Sequence, residues 1–167
     1  MAKEEKDIMP ESATEVSSTI EKYKDKPLVI TQMLLEIQAA TGNFVPENVA
    51  VAVSRATGIP VSDISDLIDF YSMLSDTRRG KHVIRMCNSA PCHVCGSADV
   101  ANTFLEELGL AHDGMTTSDG MFTFEFFQCL GVCDVAPAAI VDEVVHGNLD
   151  KVTVKKLIAD LRKEGED

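Results

Sequence analysis

All five cysteines of this 167-residue chain fall in two short segments, 87-CNSAPCHVCGS-97 and 129-CLGVCDVAP-137. Thiols used only for packing would be scattered, so a fold for this chain has to bring two distant loops to one centre. Cys87-x4-Cys92 offers one pair of thiols and Cys129-x3-Cys133 a second, with Ser89, Ala90 and Gly131 as small residues that let the backbone come close. Four soft, anionic thiolates in two pairs suit a cluster of two irons, each iron taking one pair. The expected cofactor is a [2Fe–2S] cluster.

Cys95 complicates the ligand set. Cys87-x4-Cys92-x2-Cys95 followed by Cys129 also fits the spacing of plant-type ferredoxins. Both readings give the same cluster and differ on whether Cys95 or Cys133 is the fourth ligand. Cys133 lies one short glycine-containing turn from Cys129 and would be idle in the plant-type reading, which favours Cys87, Cys92, Cys129 and Cys133. Two readings outside cluster chemistry stay open on the residues alone. Cys92-His93-Val94-Cys95 is a C-x-x-C dithiol, which would make this a stand-alone thioredoxin-like thiol–disulfide protein. With Cys129 and Cys133 the same dithiol could hold zinc. The dithiol leaves three cysteines without a role, and zinc usually takes tighter pairs.

The net charge of −12 argues against nucleic acid, which needs clustered Lys and Arg, and suits docking to a basic protein. No apolar run is long enough to span a bilayer, and the polar stretch from Met1 to Glu11 lacks the apolar segment of a signal peptide. The expected location is cytoplasmic, where thiols stay reduced and clustered cysteines serve as ligands or redox groups. There is no G-x-G-x-x-G and no Walker loop, so neither NAD nor FMN is expected to bind this chain by itself. No Ser/His/Asp or paired-carboxylate arrangement rises above chance, so no catalytic residue is assigned. His82, His93, His112 and His146 read as surface or packing residues.

The pattern along the chain changes once. Residues 1–12 are charged and read as a disordered tail. From there to residue 75 the apolar spacing is helical. A first helix covers roughly 13–23, and a second runs from Pro27 through Ile30, Leu34 and Ile37 to Gly42. A third starts with Pro46 at its first helical position, buries Val49 and Val53, and ends at Gly58. A fourth is capped by Ser62 and turns Ile64, Leu67, Ile68 and Tyr71 inward. Residues 13–75 are thus a helical bundle, and Asp76–Gly80 a polar hinge. Residues 81–167 read as a sheet domain. A strand from His82 delivers Cys87, and a helix from Ser97 buries Val100, Phe104 and Leu108. Alternating Phe122, Phe124 and Phe126 mark a buried strand that delivers Cys129. Ala138–Val141 and Val144–His146 form a hairpin about Asp142–Glu143, and Thr153 caps a last helix. The fold class is α+β.

These motifs resemble a known family. The paired cysteines with 131-GVCDVAP-137 are similar to the thioredoxin-like [2Fe–2S] ferredoxins. More closely they resemble the peripheral [2Fe–2S] subunit of respiratory complex I and its relatives in NAD(P)-linked, bifurcating hydrogenases and formate dehydrogenases. The likeness extends upstream through 34-LLEIQAATGNFVPENVAVAVSRATGIPVSDI-64 and 69-DFYSML-74 and covers roughly residues 27–163. It implies a helical bundle followed by a thioredoxin-like domain, with Cys87, Cys92, Cys129 and Cys133 as the cluster ligands. Cys95 departs from the family pattern, standing where relatives commonly carry a basic residue. The resemblance further implies an electron-transfer subunit of an NAD(P)H-dependent oxidoreductase. It would dock on a flavin (FMN)- and NAD(P)H-binding subunit and exchange single electrons with the flavin. A homodimer of the isolated chain stays open.

Overall fold

The structure is a computed structural model and describes residues 10–164. Among these are seven α-helices and one five-stranded sheet, mixed α and β as expected. The chain divides after Arg78 into two compact units. Each is held by its own apolar core. No helix among the described residues is long and apolar enough to cross a membrane.

The first unit carries α1 (Pro10–Tyr23), α2 (Ile30–Ala40), α3 (Glu47–Thr57) and α4 (Val61–Phe70), with a 3-10 turn at Pro27–Val29 ahead of α2. Of the expected tail, residues 1–9 lie outside the described residues. Pro10 to Ser12 are already helical, since proline's missing N–H costs nothing in a first turn. Met33, Leu34 and Ile37 of α2 meet Val49 and Val53 of α3 and Ile64 of α4 in a solvent-free core. Gln38 is the polar group inside this unit that closes the chain after α4. Its amide donates to the Met73 carbonyl at 2.9 Å and accepts the Ser75 N–H at 2.8 Å, while the Val45 N–H donates to the Ser75 carbonyl. Three local expectations need correction. Pro46 is the N-cap of α3, one place before the first helical residue. Pro60, not Ser62, precedes α4, and the Ser62 hydroxyl turns to Asp63. Tyr71 ends α4 in extended backbone and is exposed.

The second unit is built on β1 (His82–Cys87), β2 (Met115–Thr116), β3 (Phe122–Phe127), β4 (Ala139–Val141) and β5 (Val144–His146). The sheet order is β2-β3-β1-β4-β5, parallel only between β1 and β3. Between those two strands the chain forms α5 (Ala90–Val94) and α6 (Ser97–Leu108); α7 (Lys151–Glu164) closes the unit. Ile84 and Met86 of β1 and Phe122 and Phe124 of β3 are buried with Val100 and Phe104 of α6 and Val154 and Ile158 of α7. Phe126 continues that row but is partly exposed, so the expected aromatic core ends one residue pair earlier. The hairpin register pairs Val141 with Val144, and Asp142 supplies the positive φ that a glycine would otherwise provide. The last helix is capped by Asp150, whose carboxylate accepts the N–H groups of Val152 and Thr153, and Thr153 returns a bond to the Asp150 N–H. Thr153 completes the cap instead of making it.

The end of the expected hinge is fixed to the sheet. Gly80 donates its N–H to the Thr123 hydroxyl at 2.6 Å, and a Cβ there would stand 2.7 Å from the Phe122 backbone. Arg79 pairs with Glu125 at 3.1 Å, which also takes Arg85 at 2.8 Å.

Candidate metal centre

Parallel pairing of β1 with β3 puts the ends of both strands side by side, Cys87 in register with Phe127. This brings the two cysteine loops together. Cys87 is the last residue of β1, and its N–H is bound by the Ala138 carbonyl at 3.1 Å. The next N–H, of Asn88, goes to the Phe127 carbonyl. The chain then enters α5, a single turn started by Ser89 and Pro91, which carries Cys92 inward. The expected open loop between Cys87 and Cys92 is therefore helical in its second half. Five residues with a proline among them give no periodicity to read.

Cys87 and Cys92 are both 2% exposed, whereas Cys95, Cys129 and Cys133 are exposed. The second loop leaves β3 at Phe127, turns at Gly131 and enters the 3-10 turn Cys133–Val135. Gly131 has φ +79°, a left-handed conformation that costs a residue with a Cβ. Its N–H points at the Cys129 Sγ at 3.4 Å. The Cys129 and Cys133 sulfurs are 3.9 Å apart. Two thiolates on one tetrahedral metal with bonds of about 2.3 Å would stand about 3.8 Å apart.

The electrostatics join the two loops. Burial pushes the Cys87 thiol up, but the N–H groups of Ser89 and Leu130, the Cys92 thiol and the Ser89 hydroxyl outweigh it, and the net direction is down. Leu130 belongs to the other loop, so the second segment helps favour the Cys87 thiolate. Cys92 is pushed up, first by burial and then by its neighbour Cys87. Cys133 is pushed up chiefly because its proton is held against Cys129, with smaller repulsion from Cys87 and Asp134. The two pairs thus feel one another's charge.

No three His, Cys, Asp or Glu among the described residues are grouped as a mononuclear metal site would need. Two separate pairs of thiols are instead the donor set that two irons take, and the all-sulfur chemistry fits a [2Fe–2S] cluster. Cys95 ends α5 on the solvent side and takes no part in the contacts that join the other four. His82 packs on Phe122 and pairs with Asp142 at 2.9 Å, a packing residue away from the thiols. The effect of Ser89 and Leu130 on Cys87 has no direct sign in the sequence. A small polar residue two places after a candidate ligand is the available hint.

A strand-end site of thiols, on a mixed sheet with helices packed against it, defines a thioredoxin-like redox domain adapted to hold metal. Residues 16–162 match the family described as Thioredoxin-like [2Fe-2S] ferredoxin, and the chain belongs to it. The family's cofactor is the [2Fe–2S] cluster that the thiol pairs suit. Among similar proteins, a subunit of the NADH-quinone oxidoreductase of Pseudomonas aeruginosa is 35% identical over 136 residues, 81% of each chain. Its counterpart of the same name from Escherichia coli is 33% identical over the same share. The NADP-reducing hydrogenase subunit HndA of Solidesulfovibrio fructosivorans is 30% identical over 146 residues, 87% of this chain and 84% of that one. In structure, 70% of the chain superposes on a chain of an NAD+-reducing [NiFe]-hydrogenase with a TM-score of 0.64 and 22% identity. That likeness is one of fold, and the match spans about a fifth of the hydrogenase chain's length (20%).

Proposed function

We propose that the chain is an electron-transfer subunit of a multisubunit NAD(P)H-dependent oxidoreductase, acting in the cytoplasm. Cys87, Cys92, Cys129 and Cys133 would hold its [2Fe–2S] cluster. The observation that carries this reading is the convergence of two thiol pairs, one buried and one exposed, beyond the adjacent ends of β1 and β3, where each pair feels the other's charge. When bound, the cluster supplies one-electron transfer, exchanging single electrons with the flavin of an NAD(P)H-oxidising partner. The protein's own residues set its surroundings. The Gly131 N–H is directed at the Cys129 sulfur, and polar groups around Cys87 favour its thiolate; both stabilise negative charge there, which raises a potential. The buried pair keeps water from one side of the site, and the exposed loop leaves the other open to a partner.

The names of the relatives support the multisubunit setting: one group belongs to NADH-quinone oxidoreductases and one to an NADP-reducing hydrogenase. The chain carries no nucleotide fingerprint, so the flavin and the nicotinamide belong to another subunit. The helical bundle, which holds no candidate ligand, is assigned to docking.

Electron paramagnetic resonance of the anaerobically purified, dithionite-reduced protein tests the reading. A rhombic signal of one spin per two irons is expected, from a red-brown protein. A colourless protein whose Cys92 and Cys95 cycle between dithiol and disulfide would overturn it, and so would an iron-loaded protein without that signal.

A further inference from the structure

Helix α4 has two faces. One puts Ile64 and Ile68 into the core of the first unit. The other is a shallow groove of about 460 Å3 lined by Ile59, Asp63, Asp66, Leu67 and Phe70. Asp63, Asp66, Leu67 and Phe70 recur at helical spacing, so the groove runs along the helix for about 10 Å, or two turns, with Ile59 just ahead of it. Phe70, 79% exposed, closes one end and stacks edge-on against exposed Tyr71 at 5.1 Å, with exposed Met73 beyond. Exposed Phe, Tyr and Met together are the residues that form the centres of protein interfaces.

The charges say what could lie there. Asp63, Asp66 and Asp69 are exposed, and no cation pairs with any of them among the described residues, although Glu36, Glu107 and Glu125 each have one. A purely apolar occupant would bury these carboxylates unpaired, which is strongly unfavourable. A second copy of this chain, with net charge −12 and the same acidic rim, would set carboxylate against carboxylate. An anionic lipid surface would be repelled in the same way. An open trough along two turns of a helix suits a rod more than a small molecule.

We infer that the α4 groove receives an amphipathic helix of the flavin-binding subunit that presents Lys or Arg on either side of an apolar stripe. The inference rests on the proposed function and names the surface and the chemistry of the contact.

The test places the photoreactive residue p-benzoylphenylalanine at position 70 of the full chain, in the complex purified through a tag on this chain. Irradiation is expected to join position 70 to a helical segment of the flavoprotein rich in Lys or Arg. Alongside it, Phe70→Ser should weaken assembly by about 10-fold or more, the scale of an interface anchor. Asp63→Asn with Asp66→Asn should weaken it several-fold at low salt and little at high salt. All three positions are exposed, and circular dichroism should show the variants folded. If the flavoprotein co-purifies but position 70 crosslinks to its own chain, to a second copy or to nothing, the inference fails and the function stands. If no flavoprotein co-purifies, both fall.

Discussion

The four sulfurs of the proposed ligand set are not equivalent in their surroundings. Cys87 and Cys92 are buried, whereas Cys129 and Cys133 stand in solvent. Five cysteines less four ligands leaves one free thiol, and Cys95 is its place in the proposed set. A denaturant-free thiol titration of the cluster-loaded protein should therefore find one reactive thiol per chain, and mass spectrometry should locate it at Cys95. Cys133→Ser should lose or alter the reduced-cluster resonance and lower iron content, because serine offers a hard oxygen where a soft sulfur is needed. Cys95→Ser should leave both unchanged. The reverse outcome would mean plant-type ligation. Spacing alone already bears on the choice between Cys95 and Cys133, since Gly131 marks a turn that would aim Cys133 back at Cys129. The inward tilt of Cys92 is not legible in that way, because it depends on a single helical turn.

Among the elements, the strongest constraints are two small closures. Alanine at position 80 would put its Cβ 2.7–2.9 Å from the backbone of Phe122 and Met121, atoms that cannot move without moving β3. Gly80→Ala should cost about 1–3 kcal/mol, read as a lower denaturation midpoint. Gln38→Leu leaves the Ser75 N–H without its acceptor and removes the Gln38 donor from the Met73 carbonyl, and should cost about 1–3 kcal/mol as well. The Asp150 cap has a pH signature. The Thr153 N–H and hydroxyl hold its carboxyl below the usual range, so the folded protein binds that proton more weakly than the unfolded chain does. The cap's contribution is present at neutral pH and is lost as the pH falls through the depressed folded value. Asp150→Ala should thus melt lower than the parent at pH 7, with the gap closing as the solution is acidified. The cysteine-bearing strands and the long helices are legible in the sequence because their periods of 2 and 3.6 run for six residues or more. Caps are less so. Ser62 and Thr153 have the right chemistry, but Pro60 and Asp150 occupy the positions where the backbone turns. Strand β2, two residues long, carries no period at all.

For the molecule as a whole, the two units have apolar cores with no residue in common. We therefore propose that the cluster-bearing unit folds by itself, and where it begins decides how well. The sequence places its start at residue 81, after a polar hinge. Yet Arg79 completes a two-arginine clasp on Glu125, and Gly80 hands its N–H to Thr123. A fragment from 79 to 167 keeps both contacts, and one from 81 to 167 loses both. Glu125 retains Arg85 in the shorter fragment, so no carboxylate is stranded and the loss stays modest, about 1–2 kcal/mol. In a domain of this size each kcal/mol moves the melting temperature by about 4–8 °C. The longer fragment should therefore melt at least about 4 °C higher, while both show the same reduced-cluster resonance, because neither contact reaches the thiols. Equal melting temperatures would mean that Arg79 and Gly80 add nothing to the sheet. A fragment that folds but takes up no cluster would mean that the first 78 residues help form the metal site.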